Sequence, residues 1–283
     1  METYALWPHQ SRAIDVSIAN DFASGTHAHA TGTGKSILGH ALVRAYCERY
    51  PNQLMIWMCE QASVIVDIFS RPDSRKGLLV CDLVTKKPAD WCSEVQCALR
   101  WGKPVLVIVN RAFIVSEKRY EKLKKHIGLI IHDECHSGIG STTKAFYSWL
   151  QDSHSSTRVI GLSATPPTRE SAPFPALSNI LTRFSIYDAT SLGIIVPLKM
   201  CWCEAEHITQ EEHAKLVYTV AQDENIKKII VWCGTIDNSY DMAMLWKGIF
   251  SGWFIAVDTS KPRKNWPSYS EFVNTKEKSI LFC

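Results

Sequence analysis

The chain has 283 residues, of which 46% are hydrophobic and 21% charged, and a net charge of +3. These are ordinary values for a soluble globular protein and give room for one large domain or two modest ones. No apolar run approaches the ~20 residues that span a bilayer, and the small net charge argues neither for nor against a polyanionic partner.

In chain order, the N-terminus "METYALWPHQ" lacks the basic start and apolar core of a secretory signal, so an intracellular protein is expected. "THAHATGTGKSILGHAL" (26–42) then runs from a short alternating stretch into glycines, a lysine and a serine at the mouth of a predicted helix. Apolar, strand-like runs follow: "LMIWMC" (54–59), "LLVCD" (78–82), "VLVIVN" (105–110), "GLIIHDE" (128–134) and "RVIGLSAT" (158–165). Runs without alternation suit strands buried on both faces, and the helical segments between them suit parallel crossovers. The pattern predicts a doubly wound α/β fold. Pro166, Pro167, Pro173 and Pro175 mark a loop inside this first series.

A second series begins later. Thr209 and Glu212 have the spacing of a capping box for a helix over about 210–222. "KIIVWC" (228–233), a helical "DNSYDMAMLWKGI" (237–249), "WFIAVD" (253–258) and "SILFC" (279–283) follow. The expected domains are therefore 1–200 and 201–283, the second incomplete. The chain stops directly after a strand-like run, which suggests a piece of a longer protein. Among the ten cysteines no C-x-x-C pair occurs, and Cys201-Trp-Cys203 lacks a second pair to complete a zinc site. Reduced, structural thiols are expected.

Two stretches carry chemistry. Gly32 and Gly34 can take positive φ, letting backbone N–H groups converge on an anion, and the helix from Lys35 adds its positive dipole end. Lys35 offers a charge for phosphates and Ser36 a hydroxyl for Mg²⁺, although His29 stands where the usual phosphate-loop pattern has its first glycine. A plain Gly-rich turn before a helix is the competing reading. "LIIHDECHS" (129–137) places Asp133 and Glu134 at a strand end, where ligands bind in such folds. One carboxylate can hold Mg²⁺ and the other can orient and deprotonate an attacking water. Two solvated acids after a core strand are the alternative.

Thr31-Gly32-Thr33-Gly34-Lys35-Ser36, Asp133-Glu134-Cys135-His136 and Ser163-Ala164-Thr165 stand in the order of helicase motifs I, II and III. The chain resembles the superfamily 2 helicases and translocases. "LWPHQSRAI" (6–14) is similar to their Q-type motif, while "ATSLGIIVPL" (189–198), "KKIIVWCGTID" (227–237) and "SILFC" resemble the passage into the second domain, motif IV and the start of motif V. The resemblance implies two RecA-like domains, the second partial, that bind ATP and Mg²⁺ and move on nucleic acid. It implies phosphate and metal binding for Lys35 and Ser36, metal binding for Asp133 and water activation for Glu134. Gln10 would recognise adenine, and His136, Ser163 and Thr165 would couple nucleotide state to domain movement. Read without the family, Ser163 and Thr165 have plain turn residues before Pro166 as the competing reading.

Cys135 departs from a literal DEAD or DEAH box, and motif I with "GIIVPL" looks more like the DNA translocase branch of type I restriction motors and excision-repair helicases. DNA is the expected partner, with RNA as the alternative. "CEQASVIV" (59–66) and "VNRAFIV" (109–115) occupy positions of strand-contacting motifs, with Arg111 a phosphate-contact candidate, though ordinary helix starts fit these residues as well. The basic run "EKRYEKLKKH" (117–126) reads as a solvated helix face. No motif VI arginine is present, a group worth ~10³ or more in rate, so slow hydrolysis is expected of this piece. Two other functions stay open: a metabolic P-loop kinase, which would not account for Gln10 or Ser163-Ala164-Thr165, and a catalytically incomplete nucleic-acid-binding remnant.

Overall fold

The structure is a computed structural model that describes residues 5–60, 63–71, 73–83, 91–122, 127–137, 140–197 and 208–283. The chain forms two compact units, Met1–Leu198 and Lys199–Cys283. The expected break near residue 200, Cys201, Cys203, Gln61 and the last four residues of the basic run (123–126) lie outside the described residues.

Unit 1 runs α1 (Pro8–Ala19), β1 (Gly25–His29), α2 (Lys35–Arg49), β2 (Leu54–Cys59), α3 (Ser63–Ser70), β3 (Leu79–Asp82), α4 (Trp91–Arg100), β4 (Val105–Asn110), α5 (Arg111–Val115), β5 (Ile127–Asp133), α6 (Ser141–Ser153), β6 (Arg158–Ser163), β7 (Ile180–Phe184) and α7 (Ile186–Ser191). Seven strands form one sheet in the order β3-β4-β2-β5-β6-β1-β7, every pair parallel. This is the RecA-like, doubly wound α/β architecture.

The strand β2 shows why the apolar runs lack alternation. Successive side chains of a strand point to opposite faces. Leu54, Ile56 and Met58 enter one core with Val95 of α4, Ile114 of α5 and Phe146, Tyr147 and Leu150 of α6. Met55, Trp57 and Cys59 enter the other with Ala13 of α1, Leu38, Leu42 and Tyr46 of α2 and Phe69 of α3. Both faces are covered, so both sets must be apolar. Gly39 is what lets α2 approach this closely: a Cβ there would sit 2.4 Å from the Trp57 indole.

Unit 2 is smaller: α8 (Gln210–Asp223), β8 (Lys228–Val231), α9 (Ile236–Ile249), β9 (Phe254–Val257), α10 (Tyr269–Asn274) and β10 (Ser279–Phe282). Its three strands pair in parallel in the order β8-β10-β9. Thr209 accepts a hydrogen bond from the Glu212 N–H, and Glu212 accepts from the Thr209 N–H, the capping box expected there. Strand β8 stops at Val231, two residues short of the predicted run, and Trp232 is 81% exposed. Strand β7 and helix α10 were not among the predicted elements. All eight described cysteines are free.

Candidate nucleotide site

In a parallel sheet all strands end at one edge, and there neighbours in space need not be neighbours in sequence. Strand β6 pairs with β1 on one side and β5 on the other, setting Ala28 beside Ser163 and Asp133 beside Leu162. The loop after β1 therefore lies one strand away from the acidic pair that ends β5.

That loop is tightly built. Gly32 and Gly34 sit at φ +82° and +76°, a region that strains any residue with a Cβ. The Thr33 hydroxyl donates to Ala30 O at 2.6 Å, and Thr33 is buried while Thr31 and Gly32 are exposed. Helix α2 starts at Lys35 with left-handed Gly34 as its N-cap, which gives the first N–H groups no side-chain acceptor. Those amides and the helix dipole favour an anion.

Lys35 is only 8% exposed, and its Nζ lies 3.4 Å from Glu134 Oε1. Glu134 Oε2 is 3.4 Å from His136 Nδ1, which is 2.8 Å from Ser163 Oγ, and Ser163 Oγ accepts from the Thr165 N–H at 3.0 Å. Five of the sequence-predicted residues, Lys35, Glu134, His136, Ser163 and Thr165, thus form one chain of contacts that runs through motifs I, II and III. Glu134 adopts φ +49°, uncommon for a residue with a side chain, and its N–H donates to Asp133 Oδ1 at 3.1 Å. Burial pushes the Asp133 carboxyl up to about 6, the Glu134 charge adds to the rise, and Lys35 opposes it. A desolvated carboxylate and a hydroxyl in the first turn of α2 are hard-oxygen donors of the kind that suits a divalent cation such as Mg²⁺. Asp133 and Ser36 would hold it.

Two predicted residues are otherwise engaged. The Arg111 guanidinium is 18% exposed, ion-pairs with Glu60 and donates to Thr143 Oγ1 at 3.0 Å. Gln10 is 4% exposed; its Oε1 accepts from the Trp7 N–H at 2.9 Å, and its Nε2 donates to Thr33 O and Gly34 O, each at 3.2 Å.

Sequence reasoning missed the polar layer beneath the loop. His27 Nδ1 and His29 Nε2 lie 2.7 and 2.9 Å from the Thr182 hydroxyl, and His27 Nε2 lies 2.9 Å from Ser17 Oγ. His9 stacks on Phe184 at 3.9 Å and reaches Thr33 O with Nε2 at 3.0 Å. Burial pushes His27 down to about 3 and His29 to about 4, and neighbouring positive groups add to the fall. The only signal was three histidines, His9, His27 and His29, flanking one glycine-rich turn.

The all-parallel sheet, with the glycine-rich loop and the acidic pair at one edge, is a RecA-like domain. Residues 3–168, more than half of the chain, match the ResIII family, described as type III restriction enzyme, res subunit, and the chain belongs to that family. No curated protein sequence matches it. Among solved structures it is similar to the ATP-dependent type ISP restriction-modification enzyme LlaBIII bound to DNA, with a TM-score of 0.61 and 11% identity over 98% of this chain and 24% of that one. The helicase MrfA bound to DNA and AMPPNP gives a TM-score of 0.58 and 10% identity over 98% and 41%. Dbp5 of S. cerevisiae, bound to RNA and ADP BeF3, gives 0.51 and 12% over 97% and 69%. The chain spans about a quarter of the length of the restriction enzyme. At such identities the likeness is one of fold.

Proposed function

We propose that this chain is part of an ATP-dependent motor that moves on nucleic acid, DNA before RNA, and that Thr31–Ser36, Asp133 and Glu134 are its nucleotide site. The contact between Lys35 and Glu134 carries the reading, because it joins the anion-binding loop to the acidic strand end across 99 residues of sequence. Lys35 is held by a carboxylate in a largely buried position, and a triphosphate offers it a more highly charged partner. When Lys35 turns to the phosphates, Glu134 is released to accept a proton from water. Bound Mg²⁺ would neutralise phosphate charge. His136, two residues further on, touches both Glu134 and Ser163 at the end of the neighbouring strand, and so can pass the state of Glu134 to the loop at Thr165. Residues 201–283, with three parallel strands, are read as the start of a second RecA-like domain. The DNA preference is supported by the family and by the DNA-bound LlaBIII and MrfA. Arg111, committed to Glu60 and Thr143, is assigned to holding the strand ends rather than to a phosphate contact.

The test is ATP binding and hydrolysis with and without DNA or RNA. Lys35→Ala should abolish ATP uptake. Glu134→Gln should keep uptake and lower hydrolysis by about 10²-fold or more. Stimulation by a small metabolite instead of nucleic acid would overturn the motor reading, and full activity in Glu134→Gln would overturn the role of Glu134.

A further inference from the structure

Gln10 stands where the resemblance places an adenine reader, yet its surroundings do not suit that task. Reading adenine takes one amide N–H to donate and the amide oxygen to accept. A glutamine amide has two N–H groups, and here both are directed at the loop, to Thr33 O and Gly34 O. Its oxygen accepts from the Trp7 N–H, and 4% exposure leaves no face open for a base.

The same contacts show what Gln10 does. A carbonyl only accepts, so His9 Nε2 must carry the hydrogen it directs to Thr33 O at 3.0 Å. Thr33 O thus takes two donors from the first turn of α1, and Gly34 O takes Gln10 Nε2 together with the Leu38 N–H. A peptide unit is planar and trans, so its C=O and N–H point in opposite directions. Holding the carbonyls of Thr33 and Gly34 toward these donors turns the N–H groups of Gly34 and Lys35 the other way, where an anion can meet them. The fit is close: a Cβ on Gly34 would lie 2.5 Å from Gln10 Nε2.

We propose that Gln10 is a positioning residue for the phosphate loop and not a reader of the base, so that the site takes purine and pyrimidine nucleoside triphosphates alike. This rests on the reading of residues 31–36 as a phosphate cradle. What α1 leaves open is Trp7, 40% exposed at its N-cap, and an indole face stacks on any base.

The experiment is calorimetric titration of the protein with ATP, GTP, CTP and UTP. The four dissociation constants should agree within about threefold. Gln10→Ala and Gln10→Glu each remove the donors to the loop and should weaken all four by about the same factor, on the order of tenfold for two neutral hydrogen bonds. Wild-type preference for ATP of about tenfold or more would overturn the proposal, as would Gln10 variants that weaken ATP alone. Such a result would leave the cradle reading standing, whereas no uptake of any triphosphate by folded protein would sink that reading and the proposal with it. Thermal melting checks that each variant folds, and the wild-type comparison decides without them.

Discussion

The central strands of the two units differ in what surrounds them. In unit 1, β2, β4 and β5 have sheet neighbours on both sides and helices on both faces, and their interior residues are buried throughout. In unit 2 only β10 is buried along its length, while the edge strand β8 alternates exposed and half-buried, with Ile230 52% exposed. Unit 1 also buries polar groups, among them His27, His29, Thr33 and Lys35, and gathers them under or beside one loop. The described part of unit 2 buries no histidine, and its one described histidine, His213, is exposed. A sheet covered on both faces can hold a dry, polar site at its edge, and that dryness is what displaces the ionisation of Asp133 and the histidines.

Acid should separate the units most strongly. His27 and His29 are held near 3 and 4 against 6.5 for a free histidine. The unfolded chain therefore binds the extra protons, and unit 1 loses stability as pH falls from 6.5 toward about 4 for His29 and about 3 for His27. The loss is about 1.4 kcal/mol per histidine per pH unit across that interval. Asp133, raised to about 6, works the other way below that pH, but it is one group against several, since burial also pushes His132 of unit 1 down to about 3. Denaturant unfolding followed at pH 7 and pH 5 should show the unit 1 transition moving to lower denaturant while that of unit 2 stays put. Equal shifts would remove the distinction drawn from burial.

A single methyl group makes the same comparison through packing. At Gly39 an added Cβ would meet the Trp57 ring at 2.4 and 2.6 Å and Leu162 at 3.0 Å. Trp57 of β2 and Leu162 of β6 are fully buried in the same core, so neither can move away cheaply. Gly39→Ala should destabilise unit 1 by about 2 kcal/mol, the overpacking cost exceeding the helix-propensity gain. A melting temperature equal to wild type would mean that α2 can lift off the sheet.

How much of this was legible in the sequence follows from the same contrast. "LMIWMC" and "VLVIVN" became β2 and β4 with the predicted limits, because burial on both faces forces every residue to be apolar. The edge strand β7, "ILTRF", was not legible: it is partly exposed, mixes apolar with polar residues and follows a proline-rich segment. The run "KIIVWC" is two residues longer than β8, because apolar character alone does not mark where a strand leaves the sheet, and Trp232 is exposed. In the site, the meeting of Lys35 with Glu134 could be expected from the sequence, since a glycine-rich turn and an acidic pair each follow an apolar strand and parallel strands end at one edge. The partners of Arg111 and Gln10 could not. Glu60 lies 51 residues from Arg111 and Thr33 lies 23 from Gln10, and such pairings are fixed by strand order. The Thr182 hydroxyl, shared by two histidines more than 150 residues away, is hidden for the same reason.

The smallest predicted effect is the reverse of the Gly39 one. Gly248 lies near the end of α9, its φ is not in the left-handed region, and a Cβ there would meet nothing within 4 Å. Nothing in the fold requires glycine at this position, so its only consequence is the extra freedom it gives the unfolded chain. Gly248→Ala should therefore stabilise unit 2 by about 0.5 kcal/mol, less than the full interior value because the helix ends one residue later. Chemical denaturation with tryptophan fluorescence can follow it, since Trp246 is buried in the core of unit 2 beside Phe250 and Phe282. A loss of stability would show that α9 meets a surface not seen in the described residues of its own unit. The same substitution with opposite signs in the two units would show that burial on both faces, rather than helix propensity, sets the cost of a methyl group in this chain.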